Sequence, residues 1–373
     1  MPDKNNNSLT VMLLFSSGEL GGAERSLTRM ALAAGEVHFK LATLHGEGSW
    51  SDWVNSRGKP AITFGSKRSS RRITMLAYCR LVLYLSSNNI DVVYVCGTRA
   101  SLMVRLIGLL FPSIKIVHAV RWNPNSSSKL DLFFRFIERY FHFLVDGWIT
   151  NSKIAKDTLV RLCGIPEHKV KVIYNGLSEF PSSIRALNER PLEVLTVANL
   201  SPRKGHIQYL NQCVKKITNY IPDAKFRFIG RDDMKGEVQK RIKTNNLRDI
   251  VYYEGFQSDT SEWYNRARVF VLPSLWNEGC PTAILEAMSY GVPCVSFGID
   301  GLPELYEQDK HGSFVTAEDY EQLSEVIIDY LSHEHRVNEH GANARQHVRK
   351  HFGLQNMIEQ HCDYFRELSG EQN

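Results

Sequence analysis

Several features that would assign this chain of 373 residues to other protein classes are missing. Its seven cysteines are odd in number and contain no Cys-x2-Cys pair, which argues against a disulfide framework or a zinc site. No apolar run approaches the roughly 18 residues of a membrane span, and residues 1–8 lack the apolar core of a signal peptide. We therefore expect a cytoplasmic protein.

A strong charge imbalance is also missing, since the net charge is only +5. This mild positive balance fits anionic ligands or an anionic membrane face and does not demand nucleic acid. Basic and aromatic residues do not interleave as they do in RNA-binding modules, so we expect no nucleic-acid partner. The turn after the first apolar run lacks the Gly-x-Gly-x-x-Gly pattern of dinucleotide-binding proteins.

The chain does contain short apolar strands that alternate with helical patterns, and this alternation occurs in two successive halves. It predicts an α/β fold in which each half has a parallel sheet with helices on both faces. The predicted strands are 10–15, 37–44, 61–64, 91–95, 114–119, 146–150, 169–174, 192–198, 225–229, 250–253, 268–272, 293–297 and 312–315. The polar segment 177–191, with two prolines, is the best linker, so we predict domains 1–180 and 181–353.

The stretch 274–288 joins a strand end, a Gly/Pro turn and a helix that begins near Pro281. The amino end of a helix favours phosphate, because its N–H groups are unpaired and its dipole is positive there. Glu278 and Glu286 would repel a phosphate unless they accept hydrogen bonds from sugar and ribose hydroxyls. The stretch therefore predicts a nucleotide-sugar site, although a helix-dipole residue and a solvated glutamate explain the spacing alone equally well.

Three other strand ends carry candidate ligand-binding residues, since ligands bind at the carboxyl ends of strands in open α/β sheets. Gly21 and Gly22 follow the first strand, where the alternative is a simple tight turn. Arg203 and Lys204 follow the strand 192–198 and suit a diphosphate, where the alternative is an ordinary helix-start loop. His118 is predicted at the end of the strand that begins at Ile114, where the alternative is a structural histidine.

Two stretches of the first half fit contact with an anionic membrane. One is the basic cluster of Lys67, Arg68, Arg71 and Arg72, and the other is the predicted helix 130–145. The aromatic residues of this helix are Phe133, Phe134, Phe136, Tyr140, Phe141 and Phe143. Basic clusters beside aromatic faces bind the membrane interface, whereas in the alternative interpretation the aromatics form core and the basic residues a solvated face.

The motifs of both halves, taken in order, resemble glycosyltransferase family 4, the retaining glycosyl transferases group 1 with the GT-B fold. The matching stretches are Gly21–Glu24, Val172–Gly176, Val197–Gly205, Asn277–Met288, Gly291–Pro293 and Gly301–Glu304. The resemblance implies two Rossmann-like, doubly wound domains that face a deep inter-domain cleft. It also implies that the second domain binds the donor and that the last helix, 354–370, packs back on the first.

The resemblance further implies roles for individual residues. It assigns His118 and Glu278 to the transferred sugar as catalytic residues. It assigns to donor binding Gly21, Gly22, Asn199, Arg203, Lys204, Gly279, Cys280, Pro281, Thr282 and Glu286. In this set Lys204 would neutralise the diphosphate and Glu286 would hold the ribose. Asn199 stands where many family members carry arginine, and Arg203 is the candidate replacement for that charge.

The implied activity is retaining transfer of a hexose from a nucleoside diphosphate sugar, preferably a UDP-sugar. The acceptor would be a glycan or a lipid-linked sugar in surface polysaccharide or lipopolysaccharide biosynthesis, at the cytoplasmic face of the membrane. The chain contains no Asp-x-Asp, so neither a metal nor another cofactor is expected beside the nucleotide-sugar co-substrate. Alternatives are a GT-B sugar-nucleotide 2-epimerase, an enzyme like sucrose or glycogen synthase, and an inactive GT-B binding protein.

Overall fold

A computed structural model describes residues 9–65, 75–125 and 128–370 of the chain. The chain divides into two compact units. Unit 1 comprises residues 1–176 together with 354–373, and unit 2 comprises residues 177–353. The segment 177–191, predicted as a linker, therefore belongs to unit 2, where it includes a single 3-10 turn, Leu187–Glu189.

Unit 1 is built on a seven-stranded sheet. Its strands are β1 Thr10–Phe15, β2 His38–Thr43, β3 Ala61–Thr63, β4 Val92–Cys96, β5 Lys115–Val120, β6 Gly147–Thr150 and β7 Val170–Val172. Its helices are α1 Gly22–Ala33, α2 Ser49–Asn55, α3 Met75–Ser87, α4 Thr98–Leu110, α5 Lys129–Phe141, α6 Lys153–Cys163 and, from the end of the chain, α14 Leu354–Ser369.

The sheet of unit 1 has the order β3-β2-β1-β4-β5-β6-β7, and neighbouring strands pair in parallel. The strands are apolar almost throughout, because both faces of the sheet are covered. One face packs against α1, α2 and α14, and the other against α3 to α6. Met357, Tyr364 and Phe365 of α14 are buried in the first of these cores, so the last helix is part of unit 1.

Unit 2 has a six-stranded sheet. Its strands are β8 Glu193–Val197, β9 Lys225–Ile229, β10 Val251–Tyr253, β11 Val269–Leu272, β12 Cys294–Phe297 and β13 Gly312–Val315. Its helices are α7 His206–Gln212, α8 Val214–Tyr220, α9 Glu237–Thr244, α10 Ser261–Arg266, α11 Thr282–Ser289, α12 Tyr320–Ser332 and α13 Glu334–His351.

The strands of unit 2 are also parallel and have the order β10-β9-β8-β11-β12-β13. The strand order reverses between β8 and β11, which are adjacent in the sheet although more than 70 residues separate them. Loops at such a switch point leave the sheet in opposite directions and open a crevice at its carboxyl edge. The GT-B-like pair of parallel α/β units expected from the sequence is confirmed.

Two details of the predicted elements need correction. His118 was expected at the end of its strand, but β5 continues to Val120, and His118 is paired with Val95 of β4 and Trp148 of β6. The predicted helix 130–145 ends as an α-helix at Phe141 and continues as a 3-10 turn over His142–Leu144. The basic cluster of residues 67–72 lies outside the described residues.

Candidate active site

Two strand-to-helix connections of unit 2 meet at the switch point between β8 and β11. The first carries the 3-10 turn Pro202–Lys204 and leads into α7, and the second carries residues 273–281 and leads into α11. The N–H of Leu275 donates to the carbonyl of Arg203 at 2.8 Å and ties the two connections together. Residues distant in sequence are thereby held side by side at the carboxyl edge of the sheet.

Gly205 makes this close approach possible. Its φ is +69°, a left-handed conformation that residues with side chains rarely adopt. A Cβ atom at this position would lie 2.0 Å from the carbonyl oxygen of Pro273. The glycine at the end of the Ser-Pro-Arg-Lys-Gly stretch is therefore required by the contact between the two connections.

A cluster of opposite charges occupies the junction. The ammonium group of Lys204 donates to Oε1 of Glu278, and Nη1 of Arg203 lies 3.3 Å from the same oxygen. Lys204 and Glu278 are only 8% and 4% exposed, whereas the side chain of Arg203 is 43% exposed. Burial lowers the pKa of Lys204, and the neighbouring Arg203 lowers it further, while Glu278 opposes both effects. The site thus holds one carboxylate between a buried cation, Lys204, and a partly exposed one, Arg203.

The backbone around Glu278 is fixed by a third strand-to-helix connection, the one that follows β12. The N–H of Glu278 donates to Oδ2 of Asp300 at 3.2 Å, and the N–H of Gly301 donates to the carbonyl of Glu278 at 3.2 Å. Asn277 adopts a left-handed conformation with φ of +62°. Such a conformation is costly for a residue with a side chain and persists only where surrounding contacts impose it.

Helix α11 begins at Thr282 with Pro281 as its N-cap residue, and no side chain caps it within the described residues. Pro281 stands just before the first helical turn, and Gly291 follows the helix in a left-handed conformation with φ of +66°. Glu286 lies on this helix, and its Oε2 accepts a hydrogen bond from the Tyr264 hydroxyl at 2.9 Å. Burial and the Glu286 charge raise the pKa of Tyr264 well above its usual value, so the hydroxyl remains a donor.

Asn199 has a structural contact of its own. Its Oδ1 accepts a hydrogen bond from the N–H of Arg231 at 3.1 Å, which joins the connections that follow β8 and β9. Arg203, in contrast, reaches the Glu278 carboxylate together with Lys204. Arg203 is therefore a second cation at the predicted diphosphate position, and its assignment to the donor remains a prediction.

Of the candidate site residues in unit 1, the two glycines lie at the start of a helix, whereas His118 is buried in the core. Gly21 is the N-cap of α1 and Gly22 its first residue, where an added Cβ would meet no atom within 4 Å. The ring of His118 is completely buried beneath Phe134, with Nδ1 at 3.1 Å from Oε1 of Glu138 and 3.2 Å from Oγ of Ser101. A sugar contact through His118 would therefore require the covering side chains to move.

The sequence analysis did not identify three residues that lie beside Glu286, Glu278 and Lys204. Tyr264 and Asp300 were missed because each acts through a tertiary hydrogen bond that no local pattern signals. His206 directly follows the Lys-Gly pair, and its imidazole is buried with neither nitrogen hydrogen-bonded. Burial and the charge of Lys204 lower the pKa of His206 to about 3, so it remains neutral beside the cations.

Among the described residues, one group has ligands that could hold a metal ion, namely Glu307, His311 and His347, whose ligand atoms lie within 4.8 Å of one another. Nδ1 of His311 accepts the N–H of Glu307 at 3.1 Å, so the proton of a neutral ring sits on Nε2. Neither nitrogen of His311 then offers a free lone pair. Glu307 and His311 precede β13, at the amino edge of the sheet, whereas Lys204 and Glu278 follow β8 and β11 at its carboxyl edge.

Comparison with known sequences finds two family models. Residues 20–179 match the model described as Glycosyltransferase Family 4, and residues 179–347 match the model described as Glycosyl transferases group 1. The two matches adjoin and together extend from residue 20 to residue 347.

Individual relatives agree with these matches. A UDP-Gal:α-D-GlcNAc-diphosphoundecaprenol α-1,3-galactosyltransferase of Escherichia coli is 23% identical over 311 residues, which cover 79% of this chain and 80% of that protein. The amylovoran biosynthesis glycosyltransferase AmsK of Erwinia amylovora is 28% identical, over 48% of this chain and 45% of its own length. The crystal structure of Anabaena HepE in complex with UDP and glucose superposes with a TM-score of 0.80 at 20% identity, covering 96% and 100% of the two chains. At this identity the structural likeness shows a shared fold.

Proposed function

This chain belongs to glycosyltransferase family 4 and has the GT-B fold, and we propose that it transfers a hexose from a UDP-sugar to a glycan or lipid-linked acceptor. The observation that carries the proposal is the buried pair of Lys204 and Glu278 at the switch point of unit 2. In open α/β sheets this is the position where nucleotides bind. The E. coli relative, named for a UDP-galactose donor, and the UDP-bound Anabaena structure support the choice of base.

The charge cluster has the properties that a diphosphate leaving group needs. As the bond between the anomeric carbon and the phosphate oxygen breaks, negative charge grows on the diphosphate. Cations that are already positioned and desolvated stabilise this charge without reorganising. Without donor, Glu278 satisfies Lys204 and Arg203. With donor bound, the phosphate oxygens take over these cations, and the Glu278 carboxylate is released to accept hydrogen bonds from sugar hydroxyls.

Glu286 is proposed as the ribose ligand. It follows the amino end of α11, whose N–H groups face the connection that carries Glu278. An ionised carboxylate accepts two hydroxyl hydrogen bonds, which suits the ribose 2′- and 3′-hydroxyls. Tyr264 fixes one carboxylate oxygen and so orients the group before the ligand arrives.

We propose that the transfer retains the configuration of the anomeric carbon and needs no metal ion. The acceptor oxygen attacks from the side that the diphosphate leaves, and its proton passes to a phosphate oxygen of the departing nucleotide. Lys204 and Arg203 then supply the positive charge that a metal ion would otherwise bring to the diphosphate. Family membership supports the retention of configuration, since the known family members are retaining enzymes.

A transfer assay in EDTA tests the proposal. UDP-linked glucose, galactose and N-acetylglucosamine are offered with a short-chain lipid-diphosphate sugar, and UDP release and the anomeric proton coupling of the product are measured. An α-linked product formed only with acceptor supports a retaining transferase. Conversion of UDP-N-acetylglucosamine without any acceptor would indicate a 2-epimerase. The absence of turnover with every donor would indicate a binding protein.

An exposed aromatic surface in unit 1 supports a lipid-linked acceptor at an anionic membrane. Of the six aromatic residues predicted for membrane contact, Phe134 is core, while Phe133, Phe136, Tyr140, Phe141 and Phe143 are exposed. The acidic residues of α5, Asp131 and Glu138, are buried, so the exposed charges of this helix are basic. Exposed aromatics beside basic residues bind the interface of anionic bilayers. No helix in the described residues is both long and apolar enough to cross a membrane.

Vesicle flotation tests this surface. Phe136 and Tyr140 lie one helical turn apart with ring centroids at 4.8 Å, so the Phe136→Ser/Tyr140→Ser variant removes adjoining aromatics. We expect at least a fivefold loss of binding to vesicles that contain anionic phospholipid. The matched control, Tyr220→Ser/Phe256→Ser, removes two aromatics of unit 2 that are at least as exposed and should bind like the wild type. Equal binding by all three proteins would remove α5 from the membrane contact.

A further inference from the structure

A second group of cations surrounds a cavity of about 450 Å³ in unit 2, between the segment 184–190 and helix α13. Four arginines line it, namely Arg185, Arg190, Arg345 and Arg349. Two residues of its lining mark its position: Arg190 precedes β8, and Gly291 precedes β12. Lys204 and Glu278, in contrast, follow the strands β8 and β11. Because all strands are parallel, the cavity lies at the amino edge of the sheet. A five-residue strand separates the two edges by roughly 15 Å, so the cavity is distinct from the candidate active site.

Backbone carbonyls hold the arginines in place. Arg190 donates from its three nitrogens to the carbonyls of Arg185, Ala267 and Tyr290 at 3.0, 3.1 and 2.9 Å. Arg345 and Arg349, one turn apart on α13, both donate to the carbonyl of Pro181 at 2.7 and 2.8 Å. Neutral carbonyls orient a guanidinium group but leave its charge uncompensated.

Carboxylates are scarce around the cavity. Within residues 9–65, 75–125 and 128–370, Arg185 pairs with Glu262 at 3.1 Å, and no carboxylate pairs with Arg190, Arg345 or Arg349. The cavity lining includes no aspartate or glutamate. Nε of Arg345 is buried without a hydrogen-bond partner. Burial and the neighbouring Arg349 lower the pKa of Arg345, which is the electrostatic sign of cations that lack a counter-ion.

The rest of the cavity wall is partly apolar. Ile184, Leu187, Val337 and Ala342 contribute to it. A cavity of this size is in the range that binds whole small molecules and exceeds what one inorganic phosphate fills. Its walls therefore suit a ligand with an anionic end against the arginines and an organic part against the aliphatic side chains.

We propose that this cavity is a second ligand site, which binds a phosphorylated compound through Arg345 and Arg349. The planar guanidinium group matches two phosphate oxygens at once. Two arginines one helical turn apart, which repel each other in the free protein, would share one phosphate or adjacent phosphates. The phosphate could belong to a soluble metabolite or to a lipid headgroup, and both present the same oxygens. The site is independent of the sugar-transfer chemistry.

Titration calorimetry with inorganic pyrophosphate tests the site in the full chain. Pyrophosphate also suits the Lys204 cluster, so the wild type should show two binding events. Arg345→Gln/Arg349→Gln should weaken one event at least tenfold and leave the other, and Lys204→Met should show the opposite pattern. Lys240→Gln/Lys243→Gln removes the same charge from exposed positions of α9 and should leave both events unchanged.

Flotation with vesicles of phosphatidic acid or phosphatidylcholine distinguishes the two phosphate sources. Weaker binding of the arginine variant than of the lysine control to phosphatidic acid alone indicates a lipid headgroup. A difference in the pyrophosphate titration alone indicates a soluble compound. Equal behaviour of the arginine and lysine variants in both experiments overturns the proposal. If the double variant does not fold, Arg349→Gln, which keeps the Arg345 contact with Pro181, answers the same question.

Discussion

The substitution Lys204→Met separates the structural role of the lysine from its chemical role. In the wild type, the buried Glu278 carboxylate is shared by Lys204 and by the more exposed Arg203. Removing one partner of a buried ion pair costs about 3–5 kcal/mol, because the other charge remains buried. Arg203 at 3.3 Å still compensates part of the Glu278 charge. We therefore expect the free energy of unfolding to fall by only about 2–3 kcal/mol.

The double variant Lys204→Met/Glu278→Gln removes both buried charges and should recover stability. Replacing a buried ion pair with well-packed hydrophobic residues of similar volume is often neutral in stability. Met and Gln have volumes similar to those of Lys and Glu and carry no charge, so the free energy of unfolding of this variant should lie within about 1 kcal/mol of the wild type. The glutamine amide oxygen can still accept from Arg203, and Arg203 is exposed enough for water to compensate the lost charge. Turnover should not recover, because the leaving diphosphate still lacks its cation.

Urea unfolding and UDP-sugar turnover check both expectations when they are measured on the wild type, Lys204→Met, Glu278→Gln and the double variant. Removing one preorganised group from a developing charge typically lowers kcat by about 10²–10³. We expect this loss in Lys204→Met and at least the same loss in the double variant, which also lacks the Glu278 carboxylate proposed to contact the sugar. A double variant that regains both stability and turnover would show that Lys204 is needed only to balance Glu278, and the diphosphate assignment would be wrong.

The remaining predictions concern the ribose contact, the pH dependence and the turn at Gly205. Glu286→Ala should raise the Kd for UDP about 10- to 100-fold in calorimetry, as expected for lost hydrogen bonds to a charged group, and an unchanged Kd would refute the ribose contact. Donor affinity should fall with rising pH before an ordinary lysine would deprotonate, because burial lowers the pKa of Lys204 and the deprotonated amine cannot neutralise the diphosphate. Lys204→Met should abolish this dependence, and its persistence would assign it to another group. Gly205→Ala should cost more than about 2 kcal/mol in urea unfolding, because the clash with Pro273 adds to the left-handed strain. Gly236→Ala, with φ of +85° but open space around it, should cost only the roughly 1–2 kcal/mol of that strain. Equal losses would contradict the Pro273 clash.

The strands were predictable because of how they are buried. A parallel strand with helices on both faces is apolar along its whole length, as in β1 and β8, and such runs stand out between polar turns. His118 interrupts such a run and was taken for the strand end. Its hydrogen-bonding register with β4 and β6 continues the strand to Val120, and the histidine is covered by α5. The strand register and the packing of α5 over His118 are tertiary features, and the local sequence pattern does not contain them.

The candidate site was only partly predictable for the same reason. Lys204 and Glu278 each lie in the connection that follows an apolar run, so each could be proposed on its own. Their direct contact depends on the sheet order, in which β8 and β11 are neighbours although β9 and β10 come between them in the sequence. The hydrogen bonds of Asp300 to Glu278 and of Tyr264 to Glu286 depend on the same packing. Sequence motifs therefore indicate which residues to consider, and the topology decides which of them act together.

Calorimetric titration of UDP, GDP and ADP into the protein in EDTA tests the central claim most directly. The claim is that unit 2 binds the diphosphate of a nucleotide donor through the cluster around Lys204 and Glu278. The account predicts that one nucleotide, UDP in our proposal, binds without metal and that Lys204→Met weakens this binding at least tenfold. If no nucleotide binds, or if binding is the same in the wild type and in Lys204→Met, the cluster is part of the architecture of unit 2 and not its donor site.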